Sequence, residues 1–235
     1  MVADAIVYHP AMAHYSRFVA TTVGRDKALR TLQYLSRFLA WYTYRTNESQ
    51  STVDFFEKTK KNFGVVRKAM RLGKFVEHFK AAAVAYDSKQ PDPVLKFLAI
   101  TRQIGYGFYL LLDNICYIDS AGIKKFESAA KLSKNAARAW WVGIASNVVA
   151  GFYTLYSLQQ AMNRQQHSAD AEKAVEAKKL AKDYASARLQ LFSDLCDLTL
   201  PSTTLGYTKF DDGVLGLAGT TSSLIGLYGA WKKTA

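Results

Sequence analysis

The chain has 235 residues, and its 31 Lys and Arg against 19 Asp and Glu give a formal net charge of +12. That length allows one large domain or two small ones, and the charge suits an acidic partner, either nucleic acid or an anionic membrane surface. The two cysteines, Cys116 and Cys196, lack the paired spacing of a zinc site or redox motif and read as reduced, buried thiols.

The mean hydropathy of −0.09 averages very polar stretches with others that carry no charge. Pro10, Pro91, Pro93 and Pro201 are the only prolines, and no sustained period-two alternation marks a strand. The expected fold class is therefore all-α. Met1 to Tyr15 shows no basic segment followed by an apolar core, so no secretory signal is expected.

In chain order, Pro10 opens a short helix running to about Ala20. A second helix starts near Gly24, with Leu29, Leu32, Leu35, Leu39 and Tyr42 on one helical face. After a polar break, Ser51 or Thr52 caps a third segment. Residues 55–82 hold eight Lys and Arg against two Glu, a net +6. Phe56, Phe63, Val66 and Met70 share one arc; Val65, Leu72, Val76, Phe79 and Ala83 share another, roughly opposite. One straight helix cannot present both arcs to a flat surface. Two amphipathic helices with a bend near Gly73 are expected, because glycine weakens a helix there.

Basic amphipathic helices with large apolar side chains bind membrane surfaces. The membrane-inserting set is Phe55, Phe56, Phe63, Val66, Met70, Leu72, Phe75, Val76 and Phe79. The cations expected against anionic lipid are Lys58, Lys60, Lys61, Arg67, Lys68, Arg71, Lys74 and Lys80.

Gln90-Pro-Asp-Pro93 marks a boundary between a cytosol-facing region, 1–90, and a membrane-embedded region, 91–235. Residues 94–118 are apolar but carry Lys96, Arg102 and Asp113, which makes a half-polar helix. The 25 residues of 139–163 and the 19 of 213–231 carry no charged side chain and are expected to span the membrane. Gly143, Asn147 and Gly151 form a small-residue seam on the first; Gly216, Gly219, Ser223 and Gly226 make the second small-sided, for packing on neighbouring helices. A polar helix is expected at about 168–198, and 188–207 reads as a second half-polar embedded helix with Pro201 ending or kinking it. Arg102, Asp113, Asp194 and Asp197 are costly against lipid, so they line an aqueous path or pair inside a bundle. With just these two spans, their basic flanks put both termini on the cytosolic side; if only one of the half-polar helices 94–118 and 188–207 also crosses, the two ends lie on opposite sides.

Catalytic signatures are missing. His9, His14, His78 and His167 lack metal-ligand spacing, Gly105-Tyr-Gly107 lacks the third glycine of a dinucleotide loop, and no phosphate loop or Gly-x-Ser-x-Gly occurs. Neither enzyme activity nor a cofactor is expected, and the charge-free segments argue against nucleic acid.

Met1-Val-Ala-Asp4, Val7-Tyr-His-Pro10, Gly24-Arg-Asp-Lys27 and Leu32-Gln-Tyr-Leu-Ser-Arg-Phe-Leu-Ala40 resemble the fungal peroxisomal biogenesis factor 11 family. The basic stretch Val66-Arg-Lys-Ala-Met-Arg-Leu72 is similar to that family's amphipathic segment, and the Gly-rich stretch ending in Trp231-Lys232 also fits. The resemblance implies a multi-pass peroxisomal membrane protein that elongates and curves the membrane before fission, inserting Phe55 to Ala82. It also implies self-association, a dynamin-related GTPase with its membrane adaptor, and a peroxisomal membrane-protein import receptor as partners. A pore for small metabolites is the alternative function it carries, and a soluble adaptor is a third reading.

Overall fold

The computed structural model describes residues 8–165 and 171–235. Met1 to Val7 and His167 lie outside them, as does the start of the polar helix expected at about 168. The described residues form eight helices: α1 Pro10–Ala20, α2 Thr22–Arg45, α3 Gln50–Ala69, α4 Phe75–Asp87, α5 Pro93–Ser120, α6 Ala129–Gln165, α7 Ala171–Leu205 and α8 Asp212–Lys233.

Local chemistry sets most boundaries. Thr21 caps α2 by accepting from the Gly24 N–H, and Ser49, not Ser51 or Thr52, caps α3 by accepting from the Thr52 N–H. Asp92 caps α5, with Pro93 in its first turn. The expected bend is a turn over 70–74, where Gly73 takes φ 75°, a left-handed conformation that favours glycine. Pro201 lies inside α7, which continues to Leu205. The stretches expected at 168–198 and 188–207 therefore belong to one helix.

Six helices close a ring in the order α2, α3, α5, α6, α7, α8 and back to α2; α4 packs on α5, and α1 on α2. The α2–α8 seam is antiparallel and built from glycines. Trp41 lies on Gly213, Phe38 on Gly216, Tyr34 on Gly219 and Lys27 on Gly226. At Gly216 a Cβ would stand 2.6 Å from the Phe38 nitrogen, so the two backbones touch. α5 and α6 meet the same way, with a Cβ on Gly105 falling 2.8 Å from the Gly143 nitrogen. At the far end of α8 the Trp231 ring stacks on His14 at 3.8 Å, and the Arg17 Nε donates to the Thr234 carbonyl at 2.9 Å. The first and last described helices thus meet at one end of the ring.

The side chains are distributed inside out. Arg30, Arg67, Asp113, Asp194, Ser146, Ser193, Ser222 and Ser223 are buried. The buried apolar cluster is small: Ile144, Val148 and Leu191, with Tyr106, Trp140, Leu155 and Leu198 packed against it. Meanwhile Phe97, Phe108, Val149, Phe152, Phe192, Leu217 and Leu224 are exposed on the outer faces of α5 to α8. The leucine stripe of α2 is also turned outward at Leu32 and Leu35, and its buried face carries Arg30, Ser36, Ala40 and Thr43.

The expected spans need correction. Residues 139–163 lie within α6 and 213–231 within α8, but no helix of the described residues is long and apolar enough to cross a membrane. Freedom from charge is not apolarity. Ser146, Asn147, Gln159, Gln160 and Asn163 dilute the first segment; five glycines with Thr220, Thr221, Ser222 and Ser223 dilute the second. Their small faces are used for contact inside this chain.

The glycine seam makes a two-sided prediction. Gly216→Ala forces α2 and α8 apart and should destabilise by about 1–3 kcal/mol through overpacking. A Cβ on Gly229 meets nothing within 4 Å, so Gly229→Ala should stabilise by about 0.5–1 kcal/mol through helix propensity. Unfolding midpoints of the two variants in detergent should move in opposite directions.

Candidate functional site

Inside the ring lies a cavity of about 400 Å³. Six helices contribute to it, α2 to α7, and its wall carries seven basic side chains: Lys27, Arg30, Arg67, Lys68, Arg71, Lys74 and Arg102. Three carboxylates oppose them, Asp26, Asp113 and Asp197. The cavity thus keeps four positive charges in excess, with Tyr34, Tyr106, Tyr109 and Trp140 as its aromatic wall.

Helix geometry explains the gathering. Asp26, Lys27, Arg30, Gln33 and Tyr34 recur at three- and four-residue steps along the inner face of α2. Arg102, Tyr106, Tyr109 and Asp113 do the same on α5. The three carboxylates are shared among four cations. Arg67 donates through Nε to Asp26 at 3.0 Å and through a terminal nitrogen to Gln33 at 2.7 Å. Lys68 and Arg71 reach the two oxygens of Asp113 at 2.7 and 2.8 Å. Arg30 donates to both oxygens of Asp197. Such charge-assisted and bidentate bonds are the stronger kind of hydrogen bond. Burial disfavours charge on Asp26, but the Arg67 and Arg71 guanidiniums outweigh it and hold the carboxyl below its ordinary value. For Lys27, burial and the neighbouring Arg30 guanidinium push the ammonium down to about 8, against the opposing pull of Asp197 and Asp26.

Arg102 is placed differently. Its Nε is buried with no hydrogen-bond partner, and no carboxylate lies within ion-pair distance of it among the described residues. The guanidinium carbon sits 5.8 Å from the centre of the Tyr106 ring. The Arg71 Nε is likewise buried without a partner.

Two further recesses adjoin the cavity and share lining residues with it. One of about 260 Å³ is lined by Ser88, Lys96, Arg102 and Asn147 and shares Arg102 with the central cavity. Another of about 610 Å³ is lined by Arg37, Glu57, Lys60, Lys61, Ser120 and Lys125, and shares Gln33, Tyr34, Gly64 and Lys68. Along α5 the series runs from Leu95 to Ser120, about 38 Å at 1.5 Å per residue.

The basic amphipathic pair is therefore divided between inside and outside. Of the cations expected against lipid, Arg67 is buried, and Lys68, Arg71 and Lys74 line the cavity. Lys60 bridges Glu57 and Asp212. Lys58, Lys61 and Lys80 are exposed. Among the apolar set, Phe55, Val66, Leu72 and Val76 are exposed. Phe56, Phe63, Met70 and Phe75 are half-buried. Phe79 is held by the protein: it lies against Gly107 and meets the Phe108 ring edge-on at 5.4 Å.

The small-residue set lies at contacts within this chain. Gly143 faces Gly105 and Tyr106, Asn147 donates to Asp194, Gly151 faces Leu191, and Gly216, Gly219 and Gly226 face α2. The Ser223 hydroxyl is buried and donates to the Gly219 carbonyl. Of the four possible pore residues, Arg102, Asp113 and Asp197 share the central cavity. Asp194 sits apart, accepting from Asn147 and from Gln190. Cys116 is buried and Cys196 half-buried, both unbridged. Sequence reasoning missed the α2 contribution, Asp26, Lys27 and Arg30. The available signal was their three- and four-residue spacing opposite the leucine stripe.

The profile of peroxisomal biogenesis factor 11 (PEX11) matches residues 12–231. The chain belongs to that family. It is 27% identical to peroxisomal membrane protein PMP30B of Candida boidinii, over 100% of this chain and 99% of the relative. It is 28% identical to peroxisomal membrane protein PMP27 of Saccharomyces cerevisiae, over the whole of both. Peroxisomal biogenesis factor 11 of Schizosaccharomyces pombe is 23% identical, covering 97% of this chain and 98% of that one. No solved structure matches.

The ion pairs differ in burial, and that sets their worth. Asp113 is 7% exposed in its side chain, whereas Lys125, paired with Asp119, is 76% exposed. Asp113→Ala leaves two cations without their carboxylate and should cost about 3–5 kcal/mol. Lys125→Ala should change stability by about 0–1 kcal/mol. Denaturant unfolding of the two variants measures the contrast.

Proposed function

We propose that this chain sits in the peroxisomal membrane and elongates and curves it, promoting fission and proliferation. Family membership supports the organelle and the process. The observation that carries the physical part is the exposed apolar edge of the α3–α4 pair, Phe55, Val66, Leu72 and Val76, beside the exposed Lys58, Lys61 and Lys80. Apolar side chains wedged between headgroups, with Lys neutralising lipid charge, expand one leaflet and favour curvature.

The inside-out ring supports the embedding. Exposed phenylalanines and leucines on α5 to α8 suit acyl chains as a collective wall, although no single helix is apolar enough to cross. The meeting of α1 with the end of α8 supports both termini lying on one side, which this proposal assigns to the cytosol. Self-association through the apolar wall, recruitment of a dynamin-related GTPase and its membrane adaptor, and delivery by a peroxisomal membrane-protein import receptor belong to the same proposal. These partners rest on the family resemblance. The family is one of biogenesis factors, and we assign no catalysis to the chain.

A second reading is a pore for small metabolites. What favours it is the run of three recesses along α5, the central one sharing Arg102 with one neighbour and Lys68 with the other. Purified protein in a planar bilayer should then conduct; a silent bilayer removes this reading and leaves the first untouched.

Leu72 and Val76 are exposed, so replacing both by Asp should shift stability by no more than about 0.5 kcal/mol each. The double variant should keep its unfolding midpoint, lose tubulation of anionic vesicles, and fail to elongate peroxisomes in cells. Tubulation equal to that of the unaltered chain would overturn the wedge.

A further inference from the structure

We propose that the central cavity is a binding site for a phosphate-bearing anion, with Arg102 and Arg71 as its anchoring groups. This inference does not depend on the membrane wedge or on conduction.

Charge balance is the first argument. The cavity wall carries seven cations and three carboxylates. Burying an unpaired cation costs several kcal/mol unless something compensates it. A bundle that served only to hold itself together would match its charges; this one leaves four positive charges over.

The arrangement of donors is the second. The carboxylates are used up by Arg67, Lys68, Arg71 and Arg30. Arg102 has no carboxylate within ion-pair distance among the described residues, and its Nε and that of Arg71 are buried without acceptors. Two guanidinium groups lining one cavity with unused donors call for an acceptor-rich anion, and Arg prefers phosphate or carboxylate oxygens held by two parallel bonds. A single carboxylate would offset only one of the four charges. A phosphate monoester or diphosphate offsets two or more.

Size and the wall supply the third. About 400 Å³ falls in the range of small-ligand sites. Tyr109 and Trp140 stack on each other at 5.2 Å at the cavity wall, an apolar surface for the organic part of a phosphorylated ligand. That ligand is either the phosphorylated headgroup of a lipid or a free phosphorylated metabolite; the chemistry recognised is the same.

The test uses the full chain purified in detergent, with Trp140 as a built-in reporter. Sodium pyrophosphate should raise the unfolding midpoint in a saturable way and change tryptophan emission, and the emission change should vanish in Trp140→Phe. Arg102→Gln should weaken pyrophosphate binding by about tenfold or more. With no anion present, the same variant should unfold no earlier than the unaltered chain, because an uncompensated charge has been removed. In a second arm the chain is placed in vesicles of phosphatidylcholine alone, with added phosphatidylserine, or with added phosphatidylinositol bisphosphate. An Arg102-dependent midpoint rise with pyrophosphate assigns the ligand to free phosphates. A rise only with the bisphosphorylated lipid assigns it to a headgroup. The proposal is overturned if neither probe shifts the midpoint. It is also overturned if the shift survives Arg102→Gln but is lost on changing the exposed Lys58 and Lys80 to Gln, or if Arg102→Gln destabilises the anion-free chain. The double variant Leu72→Asp, Val76→Asp lies outside the cavity and should bind pyrophosphate as the unaltered chain does, so failure here is distinct from failure of the wedge.

Discussion

Seven cations face three carboxylates in the middle of this bundle, and much of the architecture follows from that constraint. Each carboxylate ties two helices together. Asp26 joins α2 to α3 through Arg67, Asp113 joins α5 to α3 and the turn after it through Lys68 and Arg71, and Asp197 joins α7 to α2 through Arg30. The first two links join neighbours in the ring, and the Asp197–Arg30 link crosses it from α7 to α2. Removing a carboxylate therefore loosens a polar tie, and widening a glycine opens a seam. The two kinds of damage are physically distinct: an uncompensated buried charge in one case, backbone collision in the other.

The same constraint accounts for the outer surface. A ring that spends much of its interior on charged and small side chains keeps a small apolar core, with Ile144, Val148 and Leu191 as a buried cluster among the described residues. Leu110, Leu200 and Leu215 are also buried, but Phe97, Phe108, Phe152, Phe192, Leu217 and Leu224 of α5 to α8 face outward. A contiguous apolar exterior is unfavourable in water and marks an interaction surface. In a membrane protein polar groups turn inward because lipid cannot satisfy them. The inverted distribution thus ties the fold to a membrane even though hydropathy of single helices does not.

Helix existence was legible in the sequence, and so were the features that act locally. Asp92 and Pro93 mark the start of α5, the left-handed Gly73 marks the bend, and the small residues of 139–163 and 213–231 mark close helix contacts. What could not be read was which face of each helix points inward. Periodicity distinguishes two faces but does not orient them. The leucine stripe of α2 reads as a core face under the usual assumption, yet the structure buries Arg30 and exposes Leu32 and Leu35. Arg67 failed for the same reason: its partner Asp26 is 41 residues away, a pairing that no local pattern encodes. The charge-free segments misled because absence of charge was taken for apolarity.

Magnitudes decide how the amphipathic pair can act. A Lys or Arg brought to an anionic surface gains about 1 kcal/mol. Breaking a buried ion pair costs about 3–5 kcal/mol. In the proposed wedge, Arg67, Lys68 and Arg71 would therefore stay with Asp26 and Asp113 when the protein meets lipid, leaving Lys58, Lys61 and Lys80 for the surface contact. Three lipid-facing charges, in place of the eight counted along the sequence, contribute about 3 kcal/mol. Most of the remaining affinity must come from burying Phe55, Val66, Leu72 and Val76, at about 1.5–3 kcal/mol for a fully buried large side chain. A wedge of this kind would be mainly apolar, while the inner cations hold α3 and the turn after it to α2 and α5.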